Sequence, residues 1–433
     1  MHFPIMIIIR CKGDADKMKK FMMIWFGELI SSIGSGMTAF ALSVYVYQTT
    51  GSATYVSLIT LLAYLPTILL SPLGGVLADR YDRRLLMIIG DLFSGLGLAY
   101  VLWNIQVGST DMLPIFIGVT FNAVFVALLE PSFKATITEL LTEEEYAKAS
   151  GMVQIAGNTK FLISPALAGI LLAVADIRLI LLLDIGTFLI TVTTVAIVRK
   201  SVGKAVKKEK KSIVSEMKQG FTEINKNKGI RTLIILMSFV CFFVGILQTL
   251  TSPMVLAVSD AGTVGIMESL CAIGMLVGSM LIGILGIKKN YSKVLSIAGI
   301  LSGIFIALSG VNKNIFITGI GIFLFFLVLP FINTSADVLV RKNIANEVQG
   351  RVWGIISLLS QIGTVLAYAM SGVLADYVFE PLFAENGILA DSIGAIIGTG
   401  TGRGIGFMLI LSGICIIPAA FAIGRSRSIR SLQ

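Results

Sequence analysis

The chain has 433 residues, of which 55% are hydrophobic and 14% are charged. Soluble domains carry roughly 25% charged residues, so a water-soluble core of this length could not hide so much apolar surface. Lipid is therefore the expected solvent, and the net charge of +9 is better explained by membrane orientation than by nucleic-acid binding.

Cysteine and histidine are too few and too scattered to indicate metal or disulfide chemistry. The four cysteines, Cys11, Cys241, Cys271 and Cys415, show no paired spacing, and His2 is the only histidine. We therefore expect no disulfide framework, no metal site and no cofactor.

Twelve segments are long and apolar enough to cross a bilayer, whose hydrocarbon core is spanned by about 20 helical residues. Because lipid cannot satisfy free backbone groups, these segments are predicted to be helices rather than strands. Residues 1–17 precede the first of them and are interpreted as an extension. The predicted spans are residues 21–47, 53–78, 85–106, 112–137, 149–174, 177–198, 231–257, 263–286, 293–311, 314–339, 351–377 and 404–424.

The distribution of basic residues predicts the orientation. If the N-terminus is cytoplasmic, nearly all of the 34 lysines and arginines fall on the cytoplasmic side. Lys160 lies within a span, and only Arg178, Lys313 and Arg403 fall outside. This positive-inside bias predicts a multi-pass protein of the cell membrane with both termini in the cytoplasm.

The spans divide six and six around a lysine-rich segment. At a constant offset, Gly151 aligns with Gly354 and Gly169 with Gly372, which indicates two pseudo-symmetric halves. Such halves hold a substrate site between them near the bilayer midplane, and the basic linker is expected to contact anionic lipid headgroups. The predicted segments are a cytoplasmic tail at 1–20, an N-terminal six-helix half at 21–198, a linker at 199–230, a C-terminal six-helix half at 231–424 and a cytoplasmic tail at 425–433.

A charged hairpin joins the second and third spans. Charges of both signs stand within a few residues of one another, as suits a tight turn at a membrane face. We expect this hairpin to act as a cytoplasmic conformational gate that stabilises one state by ion pairs and by contact with a neighbouring helix end. The residues assigned to it are Gly75, Asp79, Arg80, Asp82, Arg83, Arg84 and, in the next span, Asp91.

The same hairpin carries a family resemblance. Twelve spans, a basic central linker and the pattern Gly-x-x-x-Asp-Arg-x-x-Arg-Arg at residues 75–84 resemble the major facilitator superfamily (MFS) and its signature loop between helices 2 and 3. Asp82 stands where that loop usually has a glycine. The sequence of residues 77–84 is similar to the branch that holds macrolide-efflux and enterobactin exporters. The resemblance implies the twelve-helix MFS fold and secondary transport by alternating access.

A second motif of that family, typical of antiporters, is present in part in the fifth span. Gly157, Pro165 and Gly169 match it, while Ser164 and Ala168 replace expected glycines. A complete motif implies export by antiport, which this partial motif supports less.

Charged and polar residues within the spans are the candidates for coupling and substrate binding, because a charge in the hydrocarbon core costs about 2.5–3.5 kcal/mol. Glu28 lies on a polar face of the first span and is a candidate proton carrier. Glu130 is another, although a structural ion pair with Lys160 on the next span is the favoured interpretation of this residue. Asp337 is spaced to pair with Arg341 four residues on. The full set is Glu28, Glu130, Lys160, Asn158, Gln248, Gln361 and Asp337.

The neutral candidates either line a cavity or join neighbouring helices by hydrogen bonds. Two further acids, Asp184 and Glu268, fall near the outer ends of their spans, so we expect them to reach water and to have structural roles.

The sequence thus predicts a monomeric secondary transporter, without catalytic residues, that exports amphipathic small molecules in exchange for protons. One alternative is a membrane enzyme acting on a lipid substrate, since Asp79 and Asp82 have a magnesium-site spacing. Three arginines crowd that pair, however, and no second acidic cluster faces it. Another alternative is a sensor that has this fold and does not transport.

Overall fold

The computed structural model describes the backbone of residues 3–108, 111–141, 145–201, 221–287, 290–344 and 349–432, which is helical almost throughout and contains no strand. Twelve helices in this part of the chain are long and apolar enough to cross a membrane. The predicted all-α fold with twelve membrane spans is confirmed.

The N-terminal helices are α1 (Phe3–Thr50), α2 (Ala53–Arg80), α3 (Arg83–Gln106), α4 (Leu113–Val126), α5 (Leu129–Leu140), α6 (Tyr146–Leu162), α7 (Ser164–Val174) and α8 (Ile177–Ser201). The C-terminal helices are α9 (Lys228–Leu256), α10 (Ala261–Leu285), α11 (Tyr291–Gly310), α12 (Ile315–Asn343), α13 (Gln349–Leu374), α14 (Glu380–Leu382), α15 (Gly394–Ile397), α16 (Arg403–Arg425) and α17 (Arg427–Arg430). A π-helical turn, Ala375–Phe379, follows α13.

The chain forms two compact units. Unit 1 contains Met1–Tyr45 and Leu62–Glu209, and unit 2 contains Val46–Leu61 and Lys210–Gln433. The ends of α1 and α2 that meet at the turn between them therefore belong to unit 2. The division expected from the sequence places this segment in the N-terminal half instead.

Prolines interrupt two of the helices in unit 1. The spans expected at 112–137 and 149–174 each form two helices, α4–α5 and α6–α7. Pro131 and Pro165 lie in the first turns of α5 and α7. Proline has no N–H to donate to the carbonyl four residues back, so a backbone hydrogen bond is missing at each interruption. Both interruptions lie close to charged residues of the candidate site described below.

Unit 1 packs around an apolar cluster from α1, α3, α5 and α8, whose members include Phe21, Met87, Phe133 and Val195, all at most 4% exposed. In unit 2, helices approach backbone to backbone at glycines. Gly363 of α13 faces the Ser238 carbonyl of α9, and Gly274 and Gly278 of α10 face carbonyls of α12. Small residues permit this close packing, which holds helices together where lipid provides no hydrophobic drive.

The beginning of α2 is capped by a residue from the other end of the chain. Asp376, in the π-helical turn, accepts hydrogen bonds from the backbone N–H groups of Ala53 (3.1 Å) and Thr54 (2.8 Å) and from the Ser52 hydroxyl (2.6 Å). A carboxylate at a helix N-terminus satisfies free N–H groups and complements the helix dipole. This cap fixes Val46–Leu61 within unit 2.

The connection from α14 to α16, which contains α15, is held in place by hydrogen bonds to Glu380. Glu380 accepts hydrogen bonds from the backbone N–H groups of Gly402 and Ile405, both at 3.0 Å. Gly398, Gly400 and Gly402 have φ angles of 94°, 92° and 83°, which lie in a region that glycine adopts without strain.

The last residues, predicted as a tail at 425–433, form the short helix α17, which packs into unit 2. Ile429 and Leu432 are 0% and 3% exposed, and both belong to an apolar cluster with residues of α9, α11, α12 and α13. Asn343 Nδ2 donates to the Leu432 carbonyl at 2.7 Å. The end of the chain is thus part of the core of this unit.

We expect Asp376→Ala to lower the free energy of unfolding by about 0.5–2 kcal/mol, because the N-terminus of α2 loses its acceptor. Asp376→Asn retains an N-cap acceptor and should recover much of this loss. Thermal unfolding of the purified protein in detergent measures both effects, with exposed Asp391→Asn as the control. Equal stability of Asp376→Ala and the parent protein contradicts the capping role.

Ile429→Ala is expected to destabilise unit 2 by about 2–5 kcal/mol, the usual cost of a large-to-small change in a packed core. Exposed Ser431→Ala is the matched control in the same segment. If both variants unfold at the same temperature, α17 contributes no packing energy.

Candidate functional site

The hairpin between α2 and α3 is organised by Asp82. As the N-cap of α3 it accepts hydrogen bonds from the backbone N–H groups of Arg84 (3.1 Å) and Leu85 (3.4 Å), and Arg199 Nε of α8 donates to it at 2.7 Å. Burial alone would raise the pKa of Asp82, but the bonds from Arg199 and from the backbone outweigh burial and lower the pKa. The residue that departs from the family pattern therefore ties α3 to α8.

Two arginines of the hairpin bind the end of α5. Arg84 is 1% exposed, and its Nη2 donates to Glu139 Oε1 at 2.6 Å. Arg83 Nη1 donates to the Ala135 carbonyl at 2.7 Å and lies 3.5 Å from Glu139 Oε2. Glu139 is not among the residues expected from the sequence, where its one signal is its place near the end of the fourth span, on the same membrane side as the hairpin.

The other hairpin residues have fewer contacts. Arg80 is exposed. A Cβ added at Gly75 would meet no described atom within 4 Å, whereas Gly74 faces the Ala127 carbonyl where α4 ends. The close approach of α2 to α4 thus depends on Gly74 rather than on the glycine of the motif. The side chain of Asp79 lies outside the described part of the structure.

Asp91 does not join the charges of the hairpin, which corrects the expectation from the sequence. It is 1% exposed in α3, and its charged neighbours are Glu28 of α1 and Asp184 of α8. The helix carries it about 12 Å along the axis from the start of α3. Among the described residues, no donor lies within hydrogen-bonding distance of either carboxylate oxygen of Asp91.

Asp184 is buried instead of reaching water, which is a second correction. It is 1% exposed in α8, and the hydroxyls of Thr187 and Ser35 lie 3.2 and 3.4 Å from its Oδ1. Gly34 makes this contact possible, since a Cβ there would lie 2.6 Å from Asp184 Oδ1. Helices α1 and α8 therefore pack against each other through polar side chains.

Lys160, near the end of α6, interacts electrostatically with Asp184 and with Glu130. The expected pairing of Glu130 with Lys160 is not observed: the partner of Glu130 in the described structure is Lys134, at 2.5 Å, and both side chains are largely exposed. Glu28 is partly exposed on α1 and interacts electrostatically with Glu130. Below, "acidic group" means Glu28, Asp91, Asp184 and Lys160.

The remaining motif of unit 1 lies beside this group. Gly157 and Asn158 are exposed on α6, while Pro165 and Gly169 are buried in α7. Ser164, which replaces a glycine of the motif, lies against Gly36 of α1. The motif therefore marks the interruption between α6 and α7.

In unit 2 one of the predicted polar positions, Gln248, forms a hydrogen bond to a neighbouring helix. The Tyr368 hydroxyl of α13 donates to Gln248 Oε1 of α9 at 3.0 Å, and Gln361 lies two turns before Tyr368 on α13. Asp337 pairs with Arg341 at 2.7 Å, as the spacing predicts, and the pair is exposed. The structure thus brings Gln248 into a polar contact between helices and leaves Asp337 at the surface.

A sequence profile described as Major Facilitator Superfamily matches residues 24–368. The chain belongs to this family. Together with its transporter relatives, this makes the protein a multi-pass membrane transporter and removes the alternative of a lipid-processing enzyme.

Several MFS relatives are named as efflux proteins. Macrolide efflux protein A of Streptococcus pyogenes is 28% identical over 368 residues, covering 83% of this chain and 90% of the relative. The macrolide efflux protein A of Enterococcus faecalis is 28% identical over 329 residues, covering 74% and 98%. The enterobactin exporter EntS of Citrobacter koseri is 25% identical over 157 residues, covering 36% and 38%. The expected resemblance to this branch is thereby confirmed.

Solved structures of MFS-type transporters share the fold. The nucleoside transporter NupG superposes with a TM-score of 0.71 at 12% identity, covering 94% of this chain and 100% of that one. A bacterial homologue of ferroportin gives a TM-score of 0.69 at 13% identity, covering 94% and 99%.

We expect Glu139→Gln to lower the free energy of unfolding by about 3–5 kcal/mol, because buried Arg84 loses its charged partner. Asp176→Asn is the contrasting control, since it removes an exposed ion pair with Arg178 that is worth about 1 kcal/mol or less. Thermal unfolding in detergent measures both changes. An equal loss in the two variants contradicts the anchoring role of Glu139.

Proposed function

We propose that this protein is a proton-coupled exporter of amphipathic small molecules and that the acidic group of unit 1 carries the coupled proton. The relatives named as macrolide efflux proteins support the direction and the substrate class. The single observation that carries the proton coupling is Asp91, a carboxylate 1% exposed without a hydrogen-bond donor among the described residues.

The charges of the acidic group do not balance. Glu28, Asp91 and Asp184 supply three negative charges when ionised, and Lys160 supplies one positive charge. Charges removed from water are stable only when they are paired or neutralised. Lys160 interacts electrostatically with Asp184, whereas the charged neighbours of Asp91, Glu28 and Asp184, are both acidic. A proton shared by Glu28 and Asp91 lowers the net negative charge of the acidic group from two to one.

Exposure separates the roles of the two acids. Glu28 is partly exposed on α1 and can exchange a proton with water or meet a substrate, whereas Asp91 is enclosed. The coupled proton would therefore enter at Glu28 and be held with Asp91. Glu130, the other sequence-based candidate, is largely exposed and pairs with Lys134, so we assign it a supporting electrostatic role.

The hairpin completes the proposal as a gate on the cytoplasmic side. Asp82, Arg83 and Arg84 tie the beginning of α3 to the ends of α5 and α8. A movement of α3 relative to α5 and α8 that breaks these contacts would expose buried Arg84, which favours two discrete states over a continuum. We further propose that the transporter is monomeric and has both termini in the cytoplasm, as the positive-inside bias predicts.

In proteoliposomes with an imposed pH gradient, we expect Asp91→Asn and Glu28→Gln to reduce gradient-driven transport of a radiolabelled macrolide at least tenfold. Exchange of labelled for unlabelled macrolide without a gradient should persist, because that half-cycle requires no net proton movement. Asp176→Asn, which alters an exposed pair, is the control. Unchanged gradient dependence in both acidic variants contradicts the assignment, and absence of macrolide transport by the parent protein contradicts the substrate class.

A further inference from the structure

We infer that unit 2 contains a site for the cationic group of the transported molecule, built around Glu268 with Ser252, Gln248 and Tyr368. This inference rests on the proposed function, since it names a chemical class for the exported molecule. It adds an organic cation site that is separate from the acidic group of unit 1.

Glu268 lies inside the membrane-spanning part of α10. It is seven residues beyond the start of the helix at Ala261, which is about 10 Å along the axis. Its side chain is partly exposed, so it is accessible as well as deep. We expected a structural role for Glu268 at a helix end. Such a role does not explain why the side chain is both deep in the membrane-spanning part and partly exposed.

The carboxylate of Glu268 has no salt-bridge partner in the part of the chain that the structure describes. Its partner is the Ser252 hydroxyl of α9, which donates to Oε1 at 2.9 Å. No lysine or arginine of the described chain forms a salt bridge with it, whereas Glu139 and Asp337 each have an arginine partner. An ionised carboxylate accepts roughly four hydrogen bonds, so a large part of its capacity is open to a ligand.

Two further polar groups are linked to the same stretch of α9 as Ser252. Gln248 precedes Ser252 by one turn on the same face of α9, and its side chain is exposed. The Tyr368 hydroxyl donates to Gln248 Oε1 at 3.0 Å. Three helices, α9, α10 and α13, thus contribute a carboxylate, an amide and an aromatic ring. Carboxylates bind ammonium groups directly, and aromatic rings attract cations through their faces.

The surroundings are apolar, which favours an organic cation over a hydrated metal ion. Leu247 and Met254 on α9 and Cys271 on α10 belong to the neighbouring apolar cluster. Among the described residues, no three histidine, cysteine, aspartate or glutamate side chains stand close enough together to hold a metal. A protonated or quaternary amine with apolar substituents suits a single carboxylate in apolar surroundings.

Binding of two probes of similar size to the purified protein in detergent tests the inference without any transport step. Tetraphenylphosphonium is a permanent cation, and triphenylphosphine oxide is neutral. We expect Glu268→Gln, which keeps the size and the bond from Ser252, to weaken tetraphenylphosphonium binding at least tenfold and to change triphenylphosphine oxide binding less than twofold. Gln248→Glu adds a negative charge and should tighten tetraphenylphosphonium binding several-fold, a gain that misfolding cannot produce.

One control variant separates the outcomes. Asp260→Asn alters an exposed N-cap on the same helix and should leave both affinities unchanged. Because binding is measured without transport or a pH gradient, a failure of the proton assignment does not affect this test. The inference is overturned if the parent protein does not bind the cation, or if Glu268→Gln leaves cation binding unchanged or weakens both probes equally. The last two results would leave Glu268 as a protonated or structural residue.

Discussion

A charged side chain within a bilayer has no water to bind, so it must find an opposite charge, donate or accept hydrogen bonds, or become neutral. The charged residues of this chain illustrate each of these outcomes. Arg84 is buried against Glu139, and Asp376 and Glu380 are occupied by backbone N–H groups at helix ends. Asp91 and Glu268 are left without a cationic partner among the described residues. A carboxylate without a cationic partner can be neutralised by a proton or paired with a positively charged substrate.

The same constraint explains why both units use broken helices. A backbone interruption inside a membrane is tolerated where neighbouring helices or side chains satisfy the freed groups. The interruption between α6 and α7 lies against α1 at Gly36, close to Lys160. The π-helical turn after α13 places Asp376 at the N-terminus of α2. Irregular backbone and unusual charges therefore occur together, which is expected where structure is adapted to transport.

The sequence predicted the helices well because their signal is local. Apolar length decides whether a segment crosses the membrane, and all twelve spans follow from it. Partners of buried charges depend on which helix faces point at one another, and a single sequence does not contain that information. Asp91 was therefore assigned to the hairpin, although its neighbours are Glu28 and Asp184. Glu130 was matched with Lys160, whereas a local partner, Lys134, was available one turn away. The pair of Asp337 with Arg341 was predictable because it lies within one helix.

The position of Val46–Leu61 in unit 2 has a consequence for dividing the protein into fragments. The lysine-rich linker is the natural place to cut the chain, because it joins the two sets of six spans. A C-terminal fragment made by that cut would lack the segment whose N–H groups bond to Asp376, and it would leave that carboxylate, with Gly372 and Ser371, facing lipid or solvent. The fragment is thus not a self-sufficient folding unit. For two separate polypeptides to reassemble, the C-terminal fragment must bind the Val46–Leu61 segment of the N-terminal fragment.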